Sequence, residues 1–583
     1  MRQRLLALFF LTSLSFLAQA QVTQNITPQQ QRQIEQLNVD RDRFSTPLPP
    51  MPGVDLRILT PEKTPVPRAV DELEFQITRV DVEGATYFSR VEIDALFLPL
   101  LNRAVNLSAL RDAALVLEQK YRERGFFLVR VFIPPQQIKD GIFRVRVVEG
   151  YISDVFMEGA DELSNERVKT FASNLIGVRP LSLGELERTL LLINDLLGVS
   201  ASAVLRPGQE LGTSDLLLTV KTADPIHILT FNNTGSKTTG PLSLNYNATL
   251  MQPFKTPGQL NVSLTGAGAN FGNLVNLSVD SSGLNIGKME GMHSMVSRYS
   301  QALGSRGLMF SFSNTLSESK PGGILTDLEI KSTSSVVAPR LRYAIQRSRL
   351  SSVFLEAGLA LNEAKTTLSG LDLTEDRSTV TDLSGAWVLN GWLDGTQNIS
   401  LGLSHGVSGL GAMDKMALRP STVDFTPNFT KYTLNFQRTQ KLDDDYSISV
   451  VAMGQYAKDR LLVAERLAFG GSSVGRAFAA AIISGDRGIG GVVELRRDLK
   501  LPNHPNIANV QVFASLDSAS VMNNSSARVT SSFSNLSSKS IGVRFSAYKD
   551  TYGELRMAHS TQSLATDDTN RSKRLLLEII RRF

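Results

Sequence analysis

The 583-residue sequence contains no cysteine. A chain without cysteine has neither disulfide bonds nor thiolate metal sites, so its fold depends on side-chain packing and backbone pairing alone. The five histidines lie far apart and show no ligand spacing. We therefore expect no metal site and no disulfide framework.

Long apolar segments are also missing after the first twenty residues. Residues 1–20 combine two arginines, a short apolar run and an A-x-A cleavage site, which is the pattern of a secretory signal peptide. No later run reaches about 18 apolar residues, the length that a membrane helix needs. Any crossing of a membrane must therefore be made by strands.

Nucleotide and nucleic-acid signals are absent as well. The formal net charge is +5, and the basic residues are scattered instead of forming a patch. The phosphate-binding pattern G-x-x-x-x-G-K-[S/T] does not occur. We expect no nucleic-acid partner and no cofactor.

Two polar segments precede the first folded unit. Residues 21–45 include TPQQQRQIEQLNVDRDR, which has a Thr-Pro start and good helix formers but few apolar residues. Such a helix is either a solvated tail or a plug lodged in a wet cavity. Residues 46–74 are rich in proline, which is typical of an extended linker.

Residues 75–150 and 151–224 read as two copies of one supersecondary unit. The segment VDVEGA at 80–85 returns as VFMEGA at 155–160, an offset of 75 (155 − 80), and Ser89 returns as Ser164. Each copy contains a Ser-x-x-Glu capping box, a helical apolar stripe and strand-like segments. Both copies are predicted to be α+β domains of order β-α-α-β-β.

From residue 225 to residue 583 the chain alternates apolar and polar residues in segments of about ten, separated by Gly, Asn, Ser and Asp turns. Small and polar residues occupy the second face, as a hydrated lumen requires. A soluble β-sandwich also alternates, but the terminal strand LLLEIIRRF, ending in phenylalanine, favours a transmembrane barrel. At roughly 20 to 25 residues per strand and turn, we predict an all-β barrel of about sixteen antiparallel strands.

Residues 469–478, FGGSSVGRAF, have two interpretations. The pattern G-x-S-x-G, with Ser473 at its centre, occurs in hydrolase nucleophile elbows, and Asp486 and His504 follow in the order of a catalytic triad. No β-α-β pattern surrounds the motif, however, and His504 lies in the turn-like sequence LPNHPN. We therefore expect no enzyme, and a barrel-anchored serine hydrolase is the alternative.

The second interpretation is a loop that folds into the barrel. Arg476 would then need a carboxylate partner, because a confined cation keeps its charge only when it is paired or hydrated. Strand parity places Asp517 and Glu494 inside the lumen, since their neighbours on either side are apolar. Both acids are candidate partners.

The order of signal peptide, polar helix, Pro-rich linker, two β-α-α-β-β units and barrel resembles the TpsB family, the haemolysin-activator translocators of two-partner (type V) secretion within the BamA-like superfamily. YRERGFFLVRVFIPPQQIKDGIFRVRVVEG at 121–150 is similar to the first soluble unit of that family, called a POTRA domain. GRAF and SGDRG are similar to its inward-folded loop. This chain has Arg476-Ala477-Phe478 where many members have glycine after the arginine.

The resemblance implies a function and a location. It implies an outer-membrane pore of a Gram-negative bacterium, with POTRA-like domains in the periplasm that recognise an unfolded, secreted TpsA-like exoprotein. It also implies a latch formed by Gly475, Arg476 and Phe478 with Asp517 as partner, or with Glu494 as the rival. We further expect contact with membrane lipid and a monomer. An outer-membrane insertase is the alternative function.

Sheet edges of the two units are the expected binding site for the partner, because an extended segment can add to an exposed edge by strand pairing. The strands concerned are predicted at 126–133 and 214–221. The partner-binding residues expected there are Phe126, Leu128, Arg130, Phe132, Leu216 and Leu218.

Overall fold

The computed structural model describes residues 56–58, 74–196, 198–236, 239–255, 258–268, 278–280, 283–285, 291–499, 507–548, 550–561 and 573–583. The predicted signal peptide, the predicted helix within residues 21–45 and His504 lie outside the described residues. No helix in the described ranges is both long enough and apolar enough to span a membrane.

The first soluble unit places two helices on a small mixed sheet. Its elements are β2 Glu74–Gln76, β3 Arg79–Glu83, α1 Arg90–Phe97, β4 Ala104–Asn106, α2 Leu107–Glu123, β5 Arg130–Phe132 and β6 Ile142–Val148. The sheet order is β3-β6-β5, with β6 parallel to β3 and antiparallel to β5. Phe97, Leu117 and Tyr121 fill the core between the helices and this sheet.

Local polar contacts explain two motifs of this unit. Ser89 and Glu92 form the predicted capping box of α1. Glu149, from the terminal Glu-Gly, is buried and accepts hydrogen bonds from the Thr86 N–H at 2.7 Å and the Tyr121 hydroxyl at 2.7 Å. Burial and this contact with Glu149 raise the pKa of Tyr121. Glu149 thus ties the end of β6 to the helical layer.

The second soluble unit has the predicted β-α-α-β-β order, whereas the first adds the short strand pair β2 and β4 to that order. It consists of β7 Tyr151–Gly159, α3 Glu162–Ala172, α4 Leu183–Asn194, β8 Val199–Pro207 and β9 Thr213–Thr222. Ser182 and Glu185 form the predicted capping box of α4. A strand from the linker, β1 Leu56–Ile58, joins the sheet, whose order is β1-β8-β9-β7.

The glycine that recurs in the internal repeat, Gly84 and Gly159, is required by the backbone conformation. Gly84 and Gly159 have φ of 84° and 99°, and a Cβ at either position would lie 2.3 Å from a carbonyl oxygen, that of Val147 or Val220. Only glycine fits such a position. The equivalence ends there, because Ser164 is not a second N-cap; Asp161 caps α3 and accepts the Ser164 N–H.

Sixteen antiparallel strands form the closed barrel, as predicted. They are β10 Ile226–Asn232, β11 Leu242–Met251, β12 Gly258–Gly268, β15 Gly291–Leu303, β16 Leu308–Lys320, β17 Ile330–Arg347, β18 Ser351–Leu368, β19 Leu371–Trp392, β20 Gly395–Gly406, β21 Thr430–Lys441, β22 Tyr446–Ala457, β25 Arg487–Leu499, β26 Ile507–Asn523, β27 Ser532–Ala547, β28 Thr551–Ser560 and β29 Lys573–Arg582. Two small hairpins lie in the connections: β13 Ser278–Asp280 with β14 Gly283–Asn285, and β23 Leu467–Phe469 with β24 Ile483–Gly485. The last strand pairs with the first, Thr230 opposite Ile580.

Side-chain alternation divides the barrel wall into two faces. Leu516 is 67% exposed and Leu401 60% exposed on the outward parity, whereas Ser515 and Asp517 are each 4% exposed on the inward parity. The inward parity predicted for Asp517 is therefore confirmed.

The two ends of the barrel differ. We call the end that carries the soluble units proximal, and the opposite end distal. The second unit is docked at the proximal end: Arg347 donates to both carboxylate oxygens of Asp195 at 2.8 Å, and Arg188 donates to the carbonyl of Ala344 at 2.7 Å. Ala344 also packs into the core of that unit.

Candidate functional site

The connection between β22 and β25, residues 458–486, folds back into the barrel; we call it the inward loop. Its hairpin, β23 and β24, brings Phe469 and Phe478 into an apolar cluster with the wall residues Val492 and Leu536. Both phenylalanines are 1% exposed. The loop tip is therefore packed against the inner wall.

Glycines shape the loop tip. Gly470, Gly471 and Gly475 have φ of 114°, 101° and 86°, a region that favours glycine. The Phe478 N–H donates to the Gly475 carbonyl at 2.8 Å, which closes a tight turn around the arginine. Ala477 has no positive φ and is fully buried. The residue with positive φ in this turn is thus Gly475, before the arginine. The position after the arginine does not need glycine, so Ala477 is compatible with the turn.

Arg476 reaches a carboxylate, and that carboxylate is Glu494. One guanidinium nitrogen donates to Glu494 at 2.6 Å and to the Ser515 hydroxyl at 2.9 Å. Glu494 and Ser515 are paired across β25 and β26, and Asp517 lies two residues farther toward the distal end. The pairing of Arg476 with Asp517 that the family resemblance implied is therefore corrected.

Asp517 binds the backbone of the same turn. Its carboxylate accepts the Gly475 N–H at 2.7 Å and the Ser538 hydroxyl at 2.7 and 2.8 Å. Both predicted acids therefore contact the loop tip, one through the arginine side chain and the other through the peptide group before it.

Glu494 is shared by three arginines. Besides Arg476, it accepts from Arg496 at 2.7 Å and from Arg544 at 2.8 Å. Arg544 continues to Glu554 at 2.7 Å, and Glu554 also contacts Arg556. The members of this lumenal charge cluster are Arg476, Arg496, Arg544, Arg556, Glu494 and Glu554. Its formal charge is +2 (4 − 2).

Two wall arginines that the sequence reasoning missed also hold the tip. Arg556 donates to the Ser472 carbonyl at 3.1 Å, and Arg574 donates to the Phe478 carbonyl at 2.6 Å. A parity signal was available for both, because each lies beside outward-facing apolar residues such as Met557 and Leu575.

The base of the inward loop is fixed by a buried acid. Asp486 is fully buried; it accepts from the Leu461 N–H at 2.9 Å and the Asn524 N–H at 2.7 Å, and pairs with Arg466 at 3.2 Å. These contacts occupy both oxygens of Asp486. The base is therefore anchored independently of the tip.

A second connection, residues 407–429 between β20 and β21, covers the loop from the distal side. Arg466 donates to the Thr422 hydroxyl at 2.9 Å, and Arg460 donates to the Val423 carbonyl at 3.0 Å. Phe429 is 2% exposed. The two connections are therefore held together by polar contacts at the distal end.

Comparison with known proteins assigns this architecture to a family. Residues 212–545, more than half of the chain, match the family model "Haemolysin secretion/activation protein ShlB/FhaC/HecB", and residues 75–150 match "POTRA domain, ShlB-type". The chain belongs to the haemolysin secretion/activation family. Proteins of this family are transporters of two-partner secretion, so the chain is a secretion pore and not an enzyme.

Relatives and solved structures agree with this membership. The chain is 24% identical to the heme/hemopexin transporter protein HuxB of Haemophilus influenzae (strain 86-028NP) over 72% of this chain and 71% of the relative. It is 30% identical to the outer membrane transporter CdiB of Escherichia coli O6:K15:H31 over 29% of each chain. The solved structure of CdiB from Escherichia coli has the same fold, with a TM-score of 0.71 at 20% identity over 95% of this chain and 98% of that one.

The geometry gives no support to the remote hydrolase interpretation. Ser473 lies in the turn between β23 and β24, not between a strand and a helix, and its carbonyl accepts from Arg476. Asp486 is committed to the base of the inward loop.

Half of the residues predicted to bind the partner, namely Phe126, Leu216 and Leu218, are buried in the cores of the two units. The strand predicted at 126–133 is only Arg130–Phe132, and Phe126 is 8% exposed in the core of the first unit. Leu216 and Leu218 are fully buried, and their strand β9 lies between β8 and β7, so it is not a sheet edge. The sheet edge predicted at 214–221 was therefore wrong, because a strand found by its apolar pattern is most often the one that is buried.

The other three residues differ from these. Phe132 is half-buried on β5, which lies at the edge of its sheet as predicted, and its role in partner binding stays a prediction. Leu128 packs against the core of the second unit, whereas Arg130 is exposed and pairs with Glu118 at 3.3 Å.

Proposed function

We propose that this secretion pore exports a TpsA-like exoprotein, an adhesin, cytolysin or contact-dependent toxin, across the outer membrane of a Gram-negative bacterium. Residues 75–150 and 151–224 receive the unfolded exoprotein in the periplasm, which is then the proximal side. The barrel works as a monomer with its outward face in lipid. The observation that carries the proposal is a closed barrel whose lumen is occupied by a loop held through exchangeable polar contacts.

The contacts of the inward loop suit a latch, because its release leaves no buried acid without a partner. If Arg476 withdraws, Glu494 keeps Arg496 and Arg544. If the Gly475 N–H withdraws, Asp517 keeps the Ser538 hydroxyl. An unpaired buried charge would cost several kcal/mol, on the order of 3 to 5. The wall therefore tolerates the open state.

The contacts of Arg476 and Phe478 also keep the pore shut at rest. In the closed state Arg476 is 5% exposed and pairs with Glu494, the carboxylate that it shares with Arg496 and Arg544. Its own pairing with Glu494, together with the apolar packing of Phe478, holds the tip in place. Passage of a polypeptide requires both contacts to break.

Deletion of the gene tests the proposed function. We expect the exoprotein to accumulate in the periplasm and to return to the medium when the wild-type chain is supplied. Arg476→Ala and Asp517→Ala are expected to impair export while leaving a folded, heat-modifiable barrel. Normal export by both variants would refute the latch, and a deletion that depletes many barrel proteins would favour the insertase.

A further inference from the structure

A row of basic side chains crosses the outer face of the barrel near its distal end; we call it the basic row. Lys539, His559 and Lys573 lie on the neighbouring strands β27, β28 and β29, and the register places them directly opposite one another. Their parity is outward, because Ser538 and Ala558 beside them in sequence are buried on the inward parity. Both lysines are exposed. The basic row therefore faces the surroundings of the barrel instead of the lumen.

An apolar row lies directly on the proximal side of the basic row. Ile541, Met557 and Leu575 are each two positions from a member of the basic row, on the same outward face, and are register partners of one another. All three are more than half exposed. Leu555 and Leu577 continue this face toward the proximal end. The basic row therefore marks the distal border of an apolar outer surface.

The acids of this part of the wall all face inward. The described strands β26 to β29 contain three acids, Asp517, Glu554 and Glu578, and the register places each of them on the inward parity. Within the described part of the chain, neither Lys539 nor Lys573 forms an ion pair. The outward charge on these strands is therefore positive and is not compensated by any residue that the structure describes.

Other outward lysines near the distal end are paired with acids. Lys331 pairs with Glu318 at 3.1 Å, and Lys365 pairs with Asp372 at 2.9 Å. A lysine at this border of the barrel can therefore have a carboxylate partner from a neighbouring strand. The basic row differs from these lysines because its own strands offer no such partner.

The two rows together match an amphipathic molecule that has an anionic headgroup and acyl chains. Lys539 and Lys573 lie two strands apart, about 10 Å at about 4.8 Å for each strand. This span suits a headgroup with two phosphates, since each lysine ammonium binds phosphate as a point charge. If the soluble units face the periplasm, the distal border lies in the outer leaflet of the outer membrane. The phosphorylated lipid of that leaflet is lipopolysaccharide, whose lipid A carries a phosphate at each end of a disaccharide.

We propose that the basic row is a binding site for lipopolysaccharide, in which Lys539 and Lys573 each bind one phosphate of lipid A. His559 lies between them at the headgroup, and the acyl chains lie along the apolar row. A lysine near an anionic lipid strengthens binding by roughly a factor of five, so the two lysines contribute roughly 25-fold. This inference rests on the proposed function, because that function places the distal border in the outer leaflet.

Lipid binding to the purified, full-length protein tests the site. The probe is a fluorescent lipopolysaccharide with a short sugar core, titrated into delipidated protein in a non-ionic detergent. We expect the double variant Lys539→Gln, Lys573→Gln to bind it about 25-fold more weakly than the wild type, because both phosphates lose their cation. Lipid A from which the phosphates have been removed should bind the wild type equally weakly.

The matched control is the double variant Lys331→Gln, Lys365→Gln. It removes the same number of charges from the same end of the barrel, but from lysines that are paired with acids. This control should bind the probe as tightly as the wild type. Heat-modifiable migration in gel electrophoresis checks that both double variants have folded barrels.

Each other result has a defined meaning. An equal loss of affinity in the control and in the Lys539→Gln, Lys573→Gln variant would overturn the site, because total charge would then explain the binding. Equal affinity of the wild type for phosphatidylglycerol and for the probe would overturn the assignment to lipopolysaccharide. Undiminished binding by the Lys539→Gln, Lys573→Gln variant would refute the site but leave the pore standing. Undiminished export in a strain that lacks the chain would instead refute the pore itself.

Discussion

Replacing Glu494 should open the inward loop more than replacing Arg476. At 2.6 Å and an effective dielectric near 20, the gross attraction between them is about 6 kcal/mol, before desolvation is subtracted. Arg476→Met leaves Glu494 with two arginines, so we expect a net cost of about 2 kcal/mol, typical of one charged hydrogen bond. That is about a 30-fold shift of the closed-to-open equilibrium.

Glu494→Gln removes the carboxylate that three arginines share. Arg476, Arg496 and Arg544 then lie close together with less compensation, which we expect to cost about 3 to 5 kcal/mol. The closed state should be weakened further than in Arg476→Met. The fraction of time for which single channels are open in planar bilayers measures whether Glu494→Gln opens the loop more than Arg476→Met. Heat-modifiable migration in gel electrophoresis shows that both variants have folded barrels.

Arg340→Met is the matched control. Arg340 is another lumenal arginine; it pairs with Glu356 at 3.2 Å and with Asp382 at 3.1 Å, away from the inward loop. Its loss should leave the open fraction unchanged. The reasoning fails if Arg340→Met opens the channel as much as Arg476→Met, or if Glu494→Gln opens it less.

Three further outcomes are expected. Asp517→Asn weakens the acceptor of the Gly475 N–H by roughly 1.5 to 3 kcal/mol, seen as faster hydrogen exchange at the loop tip. Arg347→Met breaks the bidentate pair with Asp195 and costs the docked second unit about 2 to 3 kcal/mol, seen as faster proteolysis of α4. Gly84→Ala forces a Cβ to 2.3 Å from a carbonyl oxygen and lowers the free energy of unfolding of the first unit by about 2 kcal/mol or more, measured by urea titration.

Each of these variants has a counterpart that should be nearly neutral. Asp382→Asn removes a lumenal acid that does not contact the loop tip. Arg349→Met removes an exposed pair with Glu187, worth about 1 kcal/mol or less. Gly184→Ala adds a Cβ that meets no atom within 4 Å. If a counterpart is as damaging as its partner variant, the contact assigned to that position is not the cause.

Strand alternation and helix capping depend on residues close together in sequence, so much of the fold could be predicted from the sequence. Strand side chains alternate with period two, so the inward direction of Asp517 and Glu494 followed from their apolar neighbours. Capping boxes at Ser89 and Ser182 involve residues only three apart, and both formed as expected. Parity would also have found Arg556, had it been applied to β28.

Contacts between distant segments required the tertiary structure. Which acid meets Arg476 depends on the register of β25 against β26 and on how deeply the inward loop descends, and no local pattern encodes either. The order of strands in a sheet is equally nonlocal, so the sequence could not show that β9 is interior.

The sequence by itself therefore determined the elements, the faces of the strands and the residues able to form the site. Tertiary structure alone decided the pairings: Arg476 with Glu494, Asp517 with the Gly475 peptide group, and the linker strand β1 with β8. The physical reason is that alternation, capping and turns are set by neighbours along the chain. Ion pairs and sheet edges are set by backbone pairing between segments that the sequence keeps apart.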